Sequence, residues 1–195
     1  FSEKHGITHT YTDMESFLSS DIDAVYIATP NCLHYIQAMD AIKHGKHVLL
    51  EKPATLTAEE FIKLSDAAEE HKVVLLEAMR PAHDPAILKA RNSIPSLGVL
   101  RRAVLEFCQY SSRYDKYKEG VILNAFNPAM GNAAVMDIGV YALEAAVIMF
   151  GKPDSVESES VILPNGMEGF EGTYDYTSVR SVRTYMAAAG YDLSD

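Results

Sequence analysis

Basic side chains are scarce in this chain. Its 195 residues hold 17 Lys and Arg against 27 Asp and Glu, a formal charge of -10, and no basic stripe gathers the cations. Phosphate affinity rests on clustered Lys and Arg, so a general nucleic-acid binder is excluded and no nucleic-acid partner is expected. Cysteine is scarcer still. Cys32 and Cys108 form neither a C-x-x-C pair nor a zinc-ligand spacing, so plain thiols, a cytoplasmic setting and no bound metal are the expectations. One long apolar run exists, residues 133–150, and it carries Asp137 and Glu144. A buried helix is expected there and a membrane span is not. Internal repeats and low-complexity stretches are absent, and no signal-peptide pattern opens the chain. It opens instead on Ser2-Glu3-Lys4-His5-Gly6-Ile7, which reads as the last turn of a helix, a glycine cap and the start of a strand. An N-terminal segment is therefore expected to precede it.

What is present is enough apolar material, 48% of residues, for one good core or for one domain and part of another. Three short apolar runs recur at 24–28, 47–50 and 73–76. They are nearly continuous in hydrophobicity, as strands covered on both faces should be, and their spacing leaves room for a helix each time. Thr12 with Glu15 and Thr57 with Glu60 are capping-box patterns for the helices before the first and third runs. The helix between the first two runs spans about 33–43 and stops at Gly45. The fold class is α/β, a Rossmann-like doubly wound parallel sheet over residues 1–80.

From residue 81 a second, α+β domain with an open, mostly antiparallel sheet is expected, running to 195. Asp84-Pro85 predicts a helix to about Asn92. Residues 99–110 read as a strand with a partly solvated face, 111–131 as a polar loop, 133–150 as a helix, and 155–163 as strand-rich. Residues 179–189 read as another helix before a Gly190 cap.

Three places carry chemistry. Glu51-Lys52-Pro53 lies between the second apolar run and a helix start, which puts Lys52 at the carboxyl end of a parallel strand, the edge where open α/β sheets bind ligands. An amine there can pair with a substrate oxygen and exchange a proton; the plain alternative is a solvated turn. Asp137 and Tyr141 are four residues apart on the apolar helix and share a face, with Glu144 close to the same stripe. A carboxylate there is costly to bury unpaired, so it has a partner or faces a cleft, whereas Tyr141 could equally be a core aromatic. In Ala28-Thr29-Pro30-Asn31-Cys32-Leu33-His34, Asn31 can cap a helix whose N–H groups receive an anionic or polar ligand atom, and His34 could be a surface residue of its first turn.

In combination, Asp23 to Asn31 with His34, Gly45 to Pro53, and Asp137-Ile138-Gly139-Val140-Tyr141 resemble the Gfo/Idh/MocA family of NAD(P)-dependent oxidoreductases over about residues 1–165. The D-x-G-x-Y form is similar to the glucose-fructose oxidoreductase and dihydrodiol dehydrogenase branch. The resemblance implies hydride transfer between NAD or NADP and a secondary alcohol of a sugar, cyclic polyol or diol, in a homodimer or homotetramer. It places Ala28, Thr29, Pro30, Asn31, His34, Glu51, Lys52 and Arg80 at the cofactor, with a cis Lys52-Pro53 peptide. Lys52 would be the central catalytic group, and Asp137 and Tyr141 would meet it across a domain cleft, Tyr141 exchanging the proton. The chemistry fits those roles: an ammonium group stabilises a neighbouring phenolate and a developing alkoxide.

The pattern has departures. No G-x-G-x-x-G occurs, since Gly166, Gly169 and Gly172 are spaced by threes and follow no suitable strand. The pyrophosphate loop and the residue that would choose NAD over NADP are expected in the preceding segment. The approach to Asp137 is Met130-Gly131-Asn132-Ala133 in place of a glycine-rich one. Two other functions stay open: a non-catalytic relative used for sensing or dimerisation, and an unrelated α/β ligand-binding module.

Overall fold

The computed structural model describes residues 2–100, 103–105, 107, 110–153 and 156. The chain divides after Ala78 into two compact units.

The first unit begins with helix α1 (Ser2–His5) and α2 (Met14–Leu18). Three parallel strands then alternate with helices: β1 (Ala24–Ile27), α3 (Asn31–Lys43), β2 (His47–Leu50), α4 (Ala58–His71) and β3 (Leu75–Glu77). The sheet order is β1-β2-β3, with Tyr26 opposite Leu49 and Leu49 opposite Leu76. Parallel neighbours need a crossover, and each connecting helix supplies one.

Caps fix the helix bounds. Thr57 accepts the Glu60 N–H at 3.2 Å, while the Glu60 carboxylate reaches back to the Leu56 N–H at 3.1 Å, one residue before the cap, a variant of the expected box. At α2 the cap is Asp13, one residue after the expected Thr12. Its carboxylate accepts the Ser16 N–H at 2.8 Å, and this bond is the main reason its pKa is lowered; a charged acceptor at a helix N-terminus is favoured over a hydroxyl. At α3 the expected capping residue, Asn31, is instead the first helical residue, behind Pro30. The helix ends where expected, with Gly45 at φ +70°. There the N–H groups of Gly45 and Lys46 close on the carbonyls of Ile42 and Ala41, and only glycine takes this left-handed position without strain.

The core lies on one side of the sheet. Val25, Ile27, Val48 and Leu50 point into it and meet Leu18, Ala38, Ala41, Ile42, Leu64 and Ala68. Each fully buried Leu or Ile contributes roughly 1.5–3 kcal/mol. Tyr26, Leu49, Val74 and Leu76 are exposed on the other face. Of the covering expected on both faces, the described residues supply one side: α3 and α4 pack together and cover one face. Continuous hydrophobicity records what a strand can bury, and not what lies over it. Residues 7–11 are not in strand conformation, and the Ile7 N–H closes α1 on the Ser2 carbonyl at 2.9 Å.

The second unit opens with a 3-10 turn (Arg80–His83) and helix α5 (Pro85–Ser93), capped by the Asp84 carboxylate on the Ala86 N–H at 2.8 Å. A 3-10 turn at Ile94–Leu97 follows. The described residues of the expected strand at 99–110 are not in strand conformation; a strand needs a distant partner, which local pattern does not specify. The expected polar loop at 111–131 is more ordered than its composition suggests. It contains α6 (Tyr114–Lys118) and 3-10 turns at Asn124–Phe126 and Pro128–Met130. Tyr114 and Phe126 are buried there against Tyr117.

A π-helical turn (Val135–Gly139) runs into α7 (Val140–Phe150), which packs on α5 and on the 80–83 turn. The helix expected to be buried is mostly half-buried, with Ile138, Gly139, Ala145 and Ala146 inside. By length and composition alone the stretch 128–150 could cross a bilayer. Asp137 and Glu144 in its middle make that costly. The expectations at 157–195, the Gly166-Gly169-Gly172 series and Cys108 lie outside the described residues.

Candidate functional site

Because the strands run parallel, the loops after β1, β2 and β3 all leave from one edge. The ladder continues one residue past the strands: the Glu51 N–H donates to the Ile27 carbonyl at 2.9 Å and the Ala78 N–H to the Leu50 carbonyl at 2.7 Å. The loops are thus aligned as they leave the sheet, with Ala28 and Thr29 exposed and Glu51 and Lys52 half-buried.

His34 holds two of these loops together. Its side chain is fully buried, with Nδ1 2.8 Å from the Pro53 carbonyl oxygen and Nε2 2.9 Å from that of Thr29. It is not a surface residue of the first helical turn, and its ring nitrogens are both engaged with backbone. A ring protonated on both nitrogens donates to both carbonyls, while a neutral ring donates to one. The Thr29 hydroxyl donates to Gln37 Oε1 at 2.6 Å, tying the first loop to α3. Glu77, the last residue of β3, accepts the Ala54 N–H at 2.8 Å and ties the second loop to the third strand. The Lys52-Pro53 peptide is cis.

Glu51 is held at both oxygens. Oε1 accepts the hydroxyl of Tyr26, and Oε2 accepts the Lys52 backbone N–H at 3.1 Å. The hydrogen bond to this carboxylate raises the Tyr26 pKa. Four lone-pair positions on a carboxylate leave capacity for further donors. A fixed acceptor beside a half-buried lysine, at the carboxyl edge of a parallel sheet, suits the hydroxyl-bearing part of a nucleotide together with an oxygen that gains charge during reaction. The residues present therefore fit the ribose and nicotinamide end of a dinucleotide, and no residue is assigned to its pyrophosphate.

In the second unit, Asp137 sits within the π turn and Tyr141 one turn on, both half-buried. A π turn takes more residues per turn than an α turn and recurs at functional sites. The Tyr141 ring stacks on Phe107 with centroids 5.2 Å apart. Glu144 is half-buried on α7. The Arg80 side chain is 75% exposed, and its guanidinium lies 3.9 Å from the Asp84 carboxylate. Lys52, Glu51, Thr29, Pro30, Asn31 and His34 are gathered in the first unit, and Asp137, Tyr141 and Arg80 in the second.

Tyr26, Gln37 and Glu77 are not anticipated by the sequence reading. Two signals for them exist: Tyr26 is a hydroxyl in an otherwise aliphatic strand, and Glu77 a charge that ends an apolar run.

Residues 1–79 match a family described as an oxidoreductase family with an NAD-binding Rossmann fold. The chain is 42% identical over 174 residues to scyllo-inositol 2-dehydrogenase (NADP(+)) of Bacillus subtilis, covering 89% of this chain and 53% of that protein. It is 33% identical to a D-xylose 1-dehydrogenase (NADP(+)) of Haloferax volcanii, over 80% of this chain and 46% of that one. The chain thus spans about half the length of the curated relatives it matches. Among solved structures, apo scyllo-inositol dehydrogenase from Lactobacillus casei superposes with a TM-score of 0.63 at 17% identity, over 85% of this chain and 47% of that one, a likeness of fold alone.

Proposed function

The chain belongs to the Gfo/Idh/MocA oxidoreductase family, and from that premise we propose that it is part of an NAD(P)-dependent dehydrogenase acting on a secondary alcohol of a sugar, cyclic polyol or diol. The observation that carries the reading is the carboxyl edge of the sheet, where Lys52 stands half-buried after β2 beside the doubly held Glu51. The relatives whose names specify NADP(+), acting on scyllo-inositol and D-xylose, support the substrate class and favour NADP.

A bound nicotinamide supplies the hydride acceptor or donor. Ala28, Thr29, Pro30 and Asn31 border its site in this reading, and Glu51 accepts hydrogen bonds from its hydroxyls. His34 serves by holding the two loops. The Lys52 ammonium group holds the substrate oxygen as it becomes an alkoxide. Tyr141 exchanges the hydroxyl proton, Asp137 orients the substrate, and Arg80 adds positive charge for the cofactor. The second unit is assigned to substrate binding and oligomerisation, in a cytoplasmic homodimer or homotetramer.

The test is NAD(P)H formation by the full-length protein over inositols, pentoses, hexoses and cyclic diols, for wild type and Lys52→Ala. The expected result is turnover with NADP on a polyol or sugar and a loss of roughly 10²–10³-fold in kcat in the variant, the size typical of a removed charge-stabilising group. Equal rates would remove Lys52 from the mechanism.

A further inference from the structure

The strand β1 contains one side chain whose placement is not explained by the core. Val25 and Ile27 point inward, whereas Tyr26 points to the opposite face and is 58% exposed. Its hydroxyl is committed to Glu51 Oε1. Register explains how it reaches. Tyr26 pairs with Leu49, and Glu51 lies two residues further along, so its side chain leaves the backbone on the same side as that of Leu49. A diagonal pair of this kind lies within reach of a long aromatic side chain. The other carboxylate oxygen is taken by the Lys52 N–H, so the plane of the Glu51 carboxylate is set by one donor from a neighbouring strand and one from its own loop.

We propose that Tyr26 is a positioning residue, which fixes the rotamer of Glu51 and so sets the affinity of this edge for the nicotinamide dinucleotide. The proposal rests on the reading of the edge as an NAD(P) site. A glutamate side chain has three torsions, and a carboxylate that is already oriented loses less freedom when a ligand hydroxyl binds it. A phenol donating to an ionised carboxylate is a charge-assisted bond, stronger than a neutral one. Tyr26 touches neither substrate nor the reacting atoms in this scheme; it acts through Glu51.

Tyr26→Phe removes the hydroxyl and keeps the ring. In the full-length protein it should weaken NADPH binding, followed by the nucleotide's fluorescence, by about 3- to 10-fold, the cost of immobilising one freed side chain on binding. The KM for the cofactor should rise by a similar factor, with a much smaller change in kcat at saturating cofactor and a melting temperature lowered by only a few degrees. Glu51→Gln should weaken binding on its own, and adding Tyr26→Phe to Glu51→Gln should cost little more, because the two residues act as a unit. Tyr26→Phe binding as tightly as wild type, or a double variant weaker than Glu51→Gln by the full single-variant factor, would overturn the proposal and leave the dehydrogenase reading standing. A wild type that binds neither NADPH nor NADH would overturn that reading itself.

Discussion

His34 shows how much a single buried residue decides. Its ring lies between the carbonyl oxygens of Thr29 and Pro53, and a buried carbonyl left without a donor costs about 1–3 kcal/mol. His34→Ala also removes a ring that is fully buried, so a destabilisation of about 2–4 kcal/mol is expected, measured by urea unfolding. The predicted signature of its bracing role is a loss of NADPH affinity in His34→Ala under conditions where the protein is still folded. Unchanged affinity there would mean that the loops keep their shape without it. Sequence marked His34 as part of the site because of its spacing from Asn31. Its role was not legible, since the Pro53 carbonyl that it meets is 19 residues away. Tyr26 was hidden for the same reason: a tyrosine in a strand looks like any aromatic until the register brings it diagonal to Glu51.

At the level of elements, helix ends were the most readable feature, because caps are short-range. Thr57, Gly45 and Asp84-Pro85 all stand where their chemistry predicts. The error at Thr12 has a local cause, the stronger carboxylate acceptor next to it, and Asp13→Ala should lower the melting temperature measurably while Thr12→Ala should not. The contact between α3 and α2 should depend on pH. His44, at the C-terminus of α3, donates Nδ1–H to the Asp40 carbonyl at 2.8 Å, and its Nε2 lies 3.3 Å from Glu15 of α2. The Asp40 carbonyl first, and then Glu15, raise its pKa above 6.5. A raised folded-state pKa means that protonation stabilises the fold. That stability is complete below the unfolded value and is lost as pH rises through the folded one. The melting temperature of wild type should therefore fall more than that of His44→Gln between about pH 6 and pH 8. Parallel curves would show that the contact contributes nothing. The effect is small, since the pair is exposed to solvent.

For the whole molecule, the uneven covering of the sheet makes a sharp prediction. Leu49 and Leu50 are adjacent leucines in one strand, the first 42% exposed and the second fully buried. Leu50→Ala should cost about 2–5 kcal/mol, as other buried leucine truncations do. Leu49→Ala in this 195-residue chain should cost well under half of that, by denaturant unfolding of both. Equal losses would show that the outer face is packed in solution. The sequence by itself determined the β-α-β-α-β order, the parallel sheet and the lysine at its carboxyl edge, because hydrophobic period, caps and turn chemistry act over a few residues. It also determined the family, through motifs whose spacing survives in a linear text. Tertiary structure alone decided which face of the sheet is buried, that residues 135–139 form a π turn, and that His34, Tyr26 and Glu77 hold the loops at the edge. Each of those depends on side chains or backbone segments distant in sequence meeting at hydrogen-bonding or packing distance, and a local pattern carries no record of such meetings.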